Sequence, residues 1–148
     1  MKTLGFIAAS LFAGFSSLSC AAADLTITVD NLRSNQGQIL LCVFSAESSD
    51  SAQFPDCTKG RPVRSANAII SGSKASVTFK GLKDGIYAVA AIHDENGNGQ
   101  LDTNFIGIPT EGIAISNNPR LFGKPSFEQG RFDINGNTSI NIEAKYIL

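Results

Sequence analysis

Alternating apolar and polar residues form the dominant pattern in this chain. Residues 25–30 alternate with a period of two, which is typical of a strand with one buried and one solvated face. Residues 39–44 form a continuous apolar run, as expected of a central strand. Turn-forming residues at 33–37 separate these two segments, so we predict that they form a hairpin.

Further apolar segments predict strands along the rest of the chain, at residues 68–70, 76–80, 86–92, 131–134 and 139–146. Small residues at 71–73 predict a second hairpin, and Asn135-Gly136 predicts a tight turn between the last two strands. No segment keeps a helical period. About seven short strands with regular turns predict an all-β protein, a single immunoglobulin-like β-sandwich.

Two segments interrupt this pattern. Residues 45–64 form a polar loop in which residues 49–54 predict one short helical turn. Residues 103–129 contain no clean strand, and a long loop of this kind in a compact domain usually has a function. Its spaced apolar residues predict one long ordered loop that folds back onto the sandwich: Phe105, Ile106, Ile108, Ile113, Ile115, Leu121, Phe122 and Phe127.

The N-terminal segment differs in composition from the rest. Lys2 precedes an apolar stretch, and Ala21-Ala22-Ala23 supplies the small side chains that signal peptidase requires. The stretch is shorter than the ~20 apolar residues that span a bilayer. We therefore predict a signal peptide at 1–23, cleaved near Ala23, and a secreted or periplasmic domain at 24–148 without a membrane span.

A lipid anchor at Cys20 is an alternative to simple cleavage. Bacterial lipoproteins are lipidated at a cysteine that follows a leucine and two small residues. Here Leu18 stands one position too late for that motif. The two outcomes differ in the mass of the mature N-terminus.

Charge and cysteine content narrow the possible functions. The chain has 12 basic and 13 acidic residues, and loss of Lys2 with the signal leaves a net charge near −2, which gives no electrostatic basis for binding nucleic acid. Arg120 and Lys124 form either a solvated loop face or an anion-binding pair. Cys42 and Cys57 remain after cleavage, and in an oxidising compartment we predict that they form a disulfide.

The segment at 93–102 carries the clearest candidate chemistry. Counted from Asp94, side-chain oxygens occupy the first, third, fifth and ninth positions: Asp94, Asn96, Asn98 and Asp102. Gly99 stands at the sixth position, and Gln100 offers its main-chain carbonyl at the seventh. This is the pattern of the first part of an EF-hand-type calcium loop, in which alternate residues turn oxygens inward and the glycine allows the bend.

The segment departs from a complete EF-hand loop at the twelfth position. Phe105 stands there in place of a bidentate glutamate, and Glu111 is the candidate for the missing carboxylate. So few charged ligands predict a calcium dissociation constant on the order of 10⁻⁴–10⁻³ M. The alternative is an ordinary Asn-Gly turn whose side chains bond to their own backbone.

His93, the only histidine of the chain, ends the most apolar strand. A histidine there is usually packed or hydrogen-bonded, although functional sites cluster where strands end in loops. This leaves open an enzyme that uses His93 with Asp94, Glu95 or Glu111 as acid–base groups. The sequence contains no nucleophile elbow, no paired-histidine metal motif and no phosphate-binding glycine loop.

Several blocks of the chain resemble one bacterial family. They include Leu-Lys-Asp-Gly-Ile-Tyr-Ala-Val at 82–89, the run at 93–99, the block at 102–112, and the residues at 116–118 and 122–127. These blocks are similar to the domain-of-unknown-function 2141 family, which implies a secreted or periplasmic bacterial protein without an assigned activity. The turn at 82–87 also resembles that of collagen-adhesin B-type and transthyretin-like sandwiches, which bears on the fold alone.

These observations predict an exported, non-catalytic binding or structural module. The oxygens of the 94–102 segment and Glu111 would bind calcium, and the ion would order residues 103–129. That segment would then face a protein or polysaccharide partner. The enzyme that uses His93 and the lipid-anchored envelope protein are the alternatives.

Overall fold

The computed structural model describes residues 22–148. Nearly all of the predicted signal peptide, and the candidate lipidation site Cys20, lie outside the described residues. Among the residues described, no helix is both long enough and apolar enough to cross a membrane. The strands in chain order are β1 (Ala23–Asp30), β2 (Gln38–Ser45), β3 (Arg64–Ala68), β4 (Ala75–Leu82), β5 (Gly85–Asp94), β6 (Gly112–Ile115), β7 (Phe132–Ile134) and β8 (Thr138–Glu143).

Two sheets pack against each other, which confirms the predicted β-sandwich. The three-stranded sheet has the order β4-β1-β8, with β1 antiparallel to β4 and parallel to β8. The other sheet has the order β3-β2-β5-β6, and β7 pairs with the first residues of β5. A short 3₁₀ helix at Ser49–Gln53 lies where one helical turn is predicted, and a short helix α1 spans Phe127–Gly130.

The main core lies between the two sheets. In β1, every second residue is buried, and the intervening threonines face outward. One of them, Thr26, shares a hydrogen bond with Thr78 of β4, 2.9 Å between their hydroxyl oxygens. Removing the apolar face of β1 from water favours the observed register, because a shift by one residue would expose the whole face.

Three of the predicted turns, at residues 33–37, 71–73 and 135–136, connect strands that belong to different sheets. The predicted hairpin between β1 and β2 is wrong, because β1 pairs with β4 and β8 whereas β2 pairs with β3 and β5. The second predicted hairpin is wrong for the same reason, since β3 and β4 belong to opposite sheets. The turn at Asn135-Gly136 likewise carries the chain from β7 to the other sheet. A turn reverses the chain, but strands with one apolar stripe can meet across a core instead of pairing edge to edge.

A second apolar cluster covers the outer face of the five-stranded sheet. Phe44 of β2 packs edge-on against Phe54, with ring centroids 5.4 Å apart, and Phe54 packs against Phe127 of α1 at 6.0 Å. The predicted disulfide joins Cys42 to Cys57, whose Cα atoms are 5.7 Å apart. This bond fixes the loop after β2 to the same outer face.

Residues 103–129 are more structured than the sequence predicts, since they contain β6 and most of α1. Ile115 is buried, and Ile113, Leu121 and Phe127 pack against the outer cluster, as expected of anchors. The prediction that Phe105, Ile106 and Phe122 anchor this segment is wrong, because all three side chains are exposed. Phe105 and Ile106 lie in the turn between Thr103 and Pro109, and Phe122 lies in a bend of the chain after β6, so the sheet covers none of the three.

Candidate metal-binding loop

The oxygen-rich segment 94–102 forms a compact loop at the end of β5. Its first residue, Asp94, is the last of the strand and pairs in register with Gln38, the first residue of β2. Its last residue, Asp102, accepts a hydrogen bond at its main-chain oxygen from Thr110 N at 3.0 Å. The loop is therefore held at one end by the five-stranded sheet and at the other by the stem that leads to β6.

The Asp94 carboxylate is the centre of the loop. Its side chain is fully buried, at 0% exposure. Oδ1 accepts a hydrogen bond from Asn98 N at 3.0 Å, and Oδ2 accepts one from Gly99 N at 2.9 Å and one from Gln38 Nε2 at 3.0 Å. Burial alone would raise the pKa of Asp94, but the hydrogen bonds from Gln38 and from the loop backbone outweigh it and hold the pKa below the ordinary value.

The two asparagines join Asp94 to Asp102. Asn96 Oδ1 accepts from Asn98 N at 3.0 Å, so it shares this donor with Asp94. Asn96 Nδ2 and Asn98 Nδ2 donate to the two carboxylate oxygens of Asp102, at 2.5 and 2.9 Å. Four of the six predicted ligands, Asp94, Asn96, Asn98 and Asp102, thus converge within one hydrogen-bonded cluster.

The other two predicted ligands occupy different positions. Gln100 has an exposed side chain, and its main-chain N donates to Asn98 Oδ1 at 2.9 Å. Glu111 is buried beneath the loop, where Oε1 accepts from Glu95 N at 2.9 Å and Oε2 accepts from Asp102 N at 3.0 Å. The Glu111 carboxylate therefore ties the two ends of the loop together through the backbone.

The oxygen atoms available to a metal ion in this loop are of several kinds. Within residues 22–148, no three side chains drawn from histidine, cysteine, aspartate and glutamate gather in a metal-binding arrangement. A cation in this loop would depend on amide and main-chain oxygens as well as on the carboxylates of Asp94 and Asp102. Such neutral oxygens are ordinary ligands of calcium.

Arg33 supports the loop from outside. Its guanidinium donates to Glu95, with 2.6 Å between Nη2 and Oε2, and to the main-chain oxygens of Thr110 and Leu148 at 2.9 and 3.0 Å. The hydrogen bond from Arg33, with a further one from Ser34, lowers the pKa of Glu95 although partial burial acts in the opposite direction. The same pair raises the pKa of Arg33. Arg33 thereby links the residues before β2 to both ends of the loop.

His93 lies inside the sandwich. Its ring is 1% exposed, Nε2 lies 2.9 Å from the main-chain oxygen of Gln36, and Nδ1 lies 2.7 Å from the Tyr146 hydroxyl. Because a carbonyl oxygen only accepts, a neutral His93 carries its proton on Nε2 and accepts from Tyr146 at Nδ1. The Tyr146 hydroxyl in turn accepts from Arg33 N at 3.1 Å. A substrate would reach this ring only if Tyr146 or Gln36 moved away.

Three residues that build the site carry little signal in the sequence. Gln38 looks like the polar start of an apolar strand, and Arg33 looks like a turn residue. Gly37 has a positive φ of 70°, and a side chain there would overlap the carbonyl oxygen of Asp94. Gln38 can be recognised as the partner of Asp94 only once the register of β2 and β5 is known.

The chain matches one known protein family over most of its length. The family model described as an uncharacterized protein conserved in bacteria, DUF2141, matches residues 27–141. The chain belongs to the DUF2141 family. The match begins within β1 and ends within β8, so the DUF2141 unit comprises both sheets and the oxygen-rich loop. No curated protein and no solved structure shows significant similarity to the chain.

Proposed function

We propose that this DUF2141 protein is an exported, non-catalytic binding module whose 94–102 loop binds calcium. The observation that carries the proposal is the convergence of Asp94, Asn96, Asn98 and Asp102 in one cluster. Alternate residues of the loop supply these oxygens, and Gly97 and Gly99 adopt the positive φ angles that the bend requires.

The arrangement of the asparagine amides supports this assignment. Their Nδ2 groups provide the positive partners of the Asp102 carboxylate. A calcium ion would replace these weak partners by a full charge, and rotation of each amide about its last bond would turn the oxygen inward. Asp94 would contribute a second carboxylate that stays ionised because its folded-state pKa is lowered. Two charged ligands correspond to a dissociation constant on the order of 10⁻⁴–10⁻³ M.

The ion would act on residues 103–129 through the end of the loop. Asp102 contacts the asparagines by its side chain and holds Thr110 by its main-chain oxygen. An isolated bridge between Thr103 and Pro109 continues this stem. Calcium at Asp102 would therefore restrain the hairpin that carries Phe105 and Ile106, and so order a surface for a partner. The sequence predicts a protein or polysaccharide in that role.

Export is part of the same proposal. The disulfide between Cys42 and Cys57 is compatible with folding in an oxidising compartment, where extracellular calcium is available. The N-terminal 23 residues have the composition of a cleaved signal. Mass spectrometry of the mature N-terminus distinguishes cleavage near Ala23 from a lipid anchor at Cys20.

Calorimetric titration of chelator-treated protein with calcium tests the binding function. We expect one calcium per chain, and 10 mM calcium should raise the midpoint of thermal unfolding by about 5–10 °C at the predicted affinity. Asp102→Asn keeps the shape of the side chain but removes its charge, so it should weaken calcium binding by about tenfold or more.

Asp133→Asn is the matched control for this substitution. Asp133 is an exposed aspartate on β7, and its replacement removes the same charge from the chain without touching the loop. Equal calcium binding by wild type and Asp102→Asn, or no heat of binding by either, would contradict the calcium assignment.

A further inference from the structure

A deep groove lies on the outer face of the five-stranded sheet. Its volume is about 740 Å³, within the range of roughly 300–1,000 Å³ that is usual for small-molecule sites. Residues of β5 and β6 form its floor: Ala90, Ile92 and Ile113. Three further segments line the groove: residues 107–109 of the hairpin after the oxygen-rich loop, residues 121–125, and the disulfide-bonded segment 55–59.

One strongly exposed apolar side chain lines this groove, and two more lie next to lining residues in the sequence. Phe122 lines the groove and is 92% exposed. Phe105 and Ile106, at 98% and 64% exposure, precede the lining residues 107–109. Concave apolar surfaces rimmed by exposed aromatic residues are typical of binding sites, because leaving such area in water is unfavourable until a ligand covers it.

The charged groups at the groove are mostly basic. Lys59 and Lys124 line it together with one acid, Asp56. Asp56 already accepts hydrogen bonds at Oδ1 from Thr58 N, Thr58 Oγ1 and Lys59 N. Within the described part of the chain, Lys124 forms no hydrogen bond or ion pair. A chain with net negative charge thus presents positive charge beside its apolar groove.

We propose that this groove binds a single-chain amphiphile with one carboxylate head, that is, a free fatty acid. The apolar floor and walls would take the hydrocarbon chain, Phe122 would cover it, and Lys124 would meet the carboxylate at the rim. An extended peptide fits less well, because the edge of β6 is already paired through the two hydrogen bonds between Ile113 and Lys145.

This inference adds a small-molecule ligand to the macromolecular partner proposed for the segment 103–129, and in that respect it rests on the proposed binding function. It does not require calcium. Gln100 and Leu101 of the oxygen-rich loop and residues 107–109 also line the groove, so calcium could alter that part of it, but the floor is formed by strands and the wall at 121–125 is distant in sequence from the loop. Failure of calcium binding and failure of fatty-acid binding are therefore separate outcomes.

Titration of the purified protein with saturated fatty acids of eight to fourteen carbons, below their micelle-forming concentrations, tests the groove. Each added methylene should tighten binding by about fourfold until the chain fills the groove. Dodecanoate should bind more tightly than dodecanol, and dodecylammonium should bind most weakly, because the rim is basic.

Two surface substitutions and their matched controls localise the ligand. Phe122→Ser should weaken dodecanoate binding by about tenfold, whereas Ile69→Ser, at another exposed apolar residue outside the groove lining, should not. Lys124→Glu should weaken it by about fivefold, whereas Lys80→Glu on β4 should not. All four positions are exposed, so the variants should keep the fold.

Several results would overturn the fatty-acid assignment. These are no binding at any chain length, equal binding of the three head groups, and binding that is unchanged in Phe122→Ser and Lys124→Glu. A dimer that forms with rising protein concentration and is lost in Phe122→Ser would show that a second copy covers the groove instead. Binding with chelator present would support the groove even if calcium uptake fails, and calcium uptake without fatty-acid binding would support the loop alone.

Discussion

The carboxylate of Glu111 accepts the main-chain hydrogen bond of Asp102, with 3.0 Å between Oε2 and N. Its other oxygen accepts from Glu95 N at 2.9 Å, so one buried side chain closes the loop between them. A carboxylate suits this position because it accepts at both oxygens and donates at neither when ionised. The residue that looks like a late calcium ligand is therefore also a brace of the loop backbone.

Glu111→Gln should destabilise the protein by about 1–3 kcal/mol, because the amide keeps one acceptor and turns a donor toward a buried N–H. Urea unfolding measures the change, and amide exchange at Glu95 and Asp102 should quicken. Glu143→Gln, at an exposed position on β8, is the control and should change stability by less than about 0.5 kcal/mol. Equal stability of wild type and Glu111→Gln would refute the bracing role.

Acid should weaken the contact between Arg33 and the loop. The folded-state pKa of Glu95 lies below its ordinary value because of the hydrogen bond from Arg33. The stabilisation is therefore complete above about pH 4.3 and is lost as the pH falls through the lowered pKa. Because Arg33 is partly exposed and solvent screens the pair, we expect only about 0.5–1 kcal/mol.

Comparison of wild type and Glu95→Gln measures this contribution to the pH dependence. Unfolding free energies between pH 2.5 and 7 should converge at the acid end, because protonated glutamic acid and glutamine are both neutral. A constant difference across that range would mean that the charge of Glu95 does not contribute.

Gly37 should be intolerant of any side chain. Gly37→Ala would place a Cβ against the carbonyl of Asp94 and also strain a positive φ, so we expect a loss of about 2–4 kcal/mol. Gly72 has a similar φ of 60° with open space around it, so Gly72→Ala should cost about 1 kcal/mol from backbone strain alone. Comparing the thermal unfolding of the two variants distinguishes the stability lost through the contact with Asp94 from the stability lost through backbone strain. Equal losses would show that the contact with Asp94 does not matter.

Loss of the disulfide should destabilise the sandwich and its outer cluster. The bond closes a loop with a sequence separation of 15 residues, which corresponds to about 3 kcal/mol in the chain-entropy account. The Cys42→Ala, Cys57→Ala double variant should lose about that amount in urea unfolding, and so should wild type treated with reductant. Because residues 55–59 line the groove, amide exchange in that segment should also increase. An unchanged midpoint after verified reduction would contradict this account.

The fold class, the disulfide and most strands are predictable from the sequence because they depend on local patterns. Burial of alternate residues fixes the strands, as in residues 25–30. The pairing of those strands is not local. The segments that flank residues 33–37 and 71–73 carry apolar residues that can be buried equally well in a hairpin or across a sandwich core. The sequence therefore predicts a β-sandwich but not which strands pair within each sheet.

The sequence likewise predicts some residues of the candidate site but not the ones that support it from elsewhere in the chain. Asp94, Asn96, Asn98 and Asp102 are neighbours in sequence, so their spacing predicts the cluster. Gln38, Arg33 and Gly37 support it from another strand and its preceding turn, and only the β2–β5 register brings them there. The groove likewise depends on how three distant segments pack over one sheet. The exposure of Phe105 and Phe122 shows that apolar character alone does not distinguish a buried anchor from an exposed surface residue.

The proposed function depends on one calcium ion bound by the alternating oxygens of the 94–102 loop. Nuclear magnetic resonance titration of calcium into chelator-treated protein tests it most directly, because amide shifts report where the ion binds. We expect saturable shifts for the amides of Asn96 to Asp102 and for that of Thr110, with little change in the three-stranded sheet. Unchanged amides throughout the loop at 10 mM calcium, or shifts confined to other acidic surfaces, would contradict it.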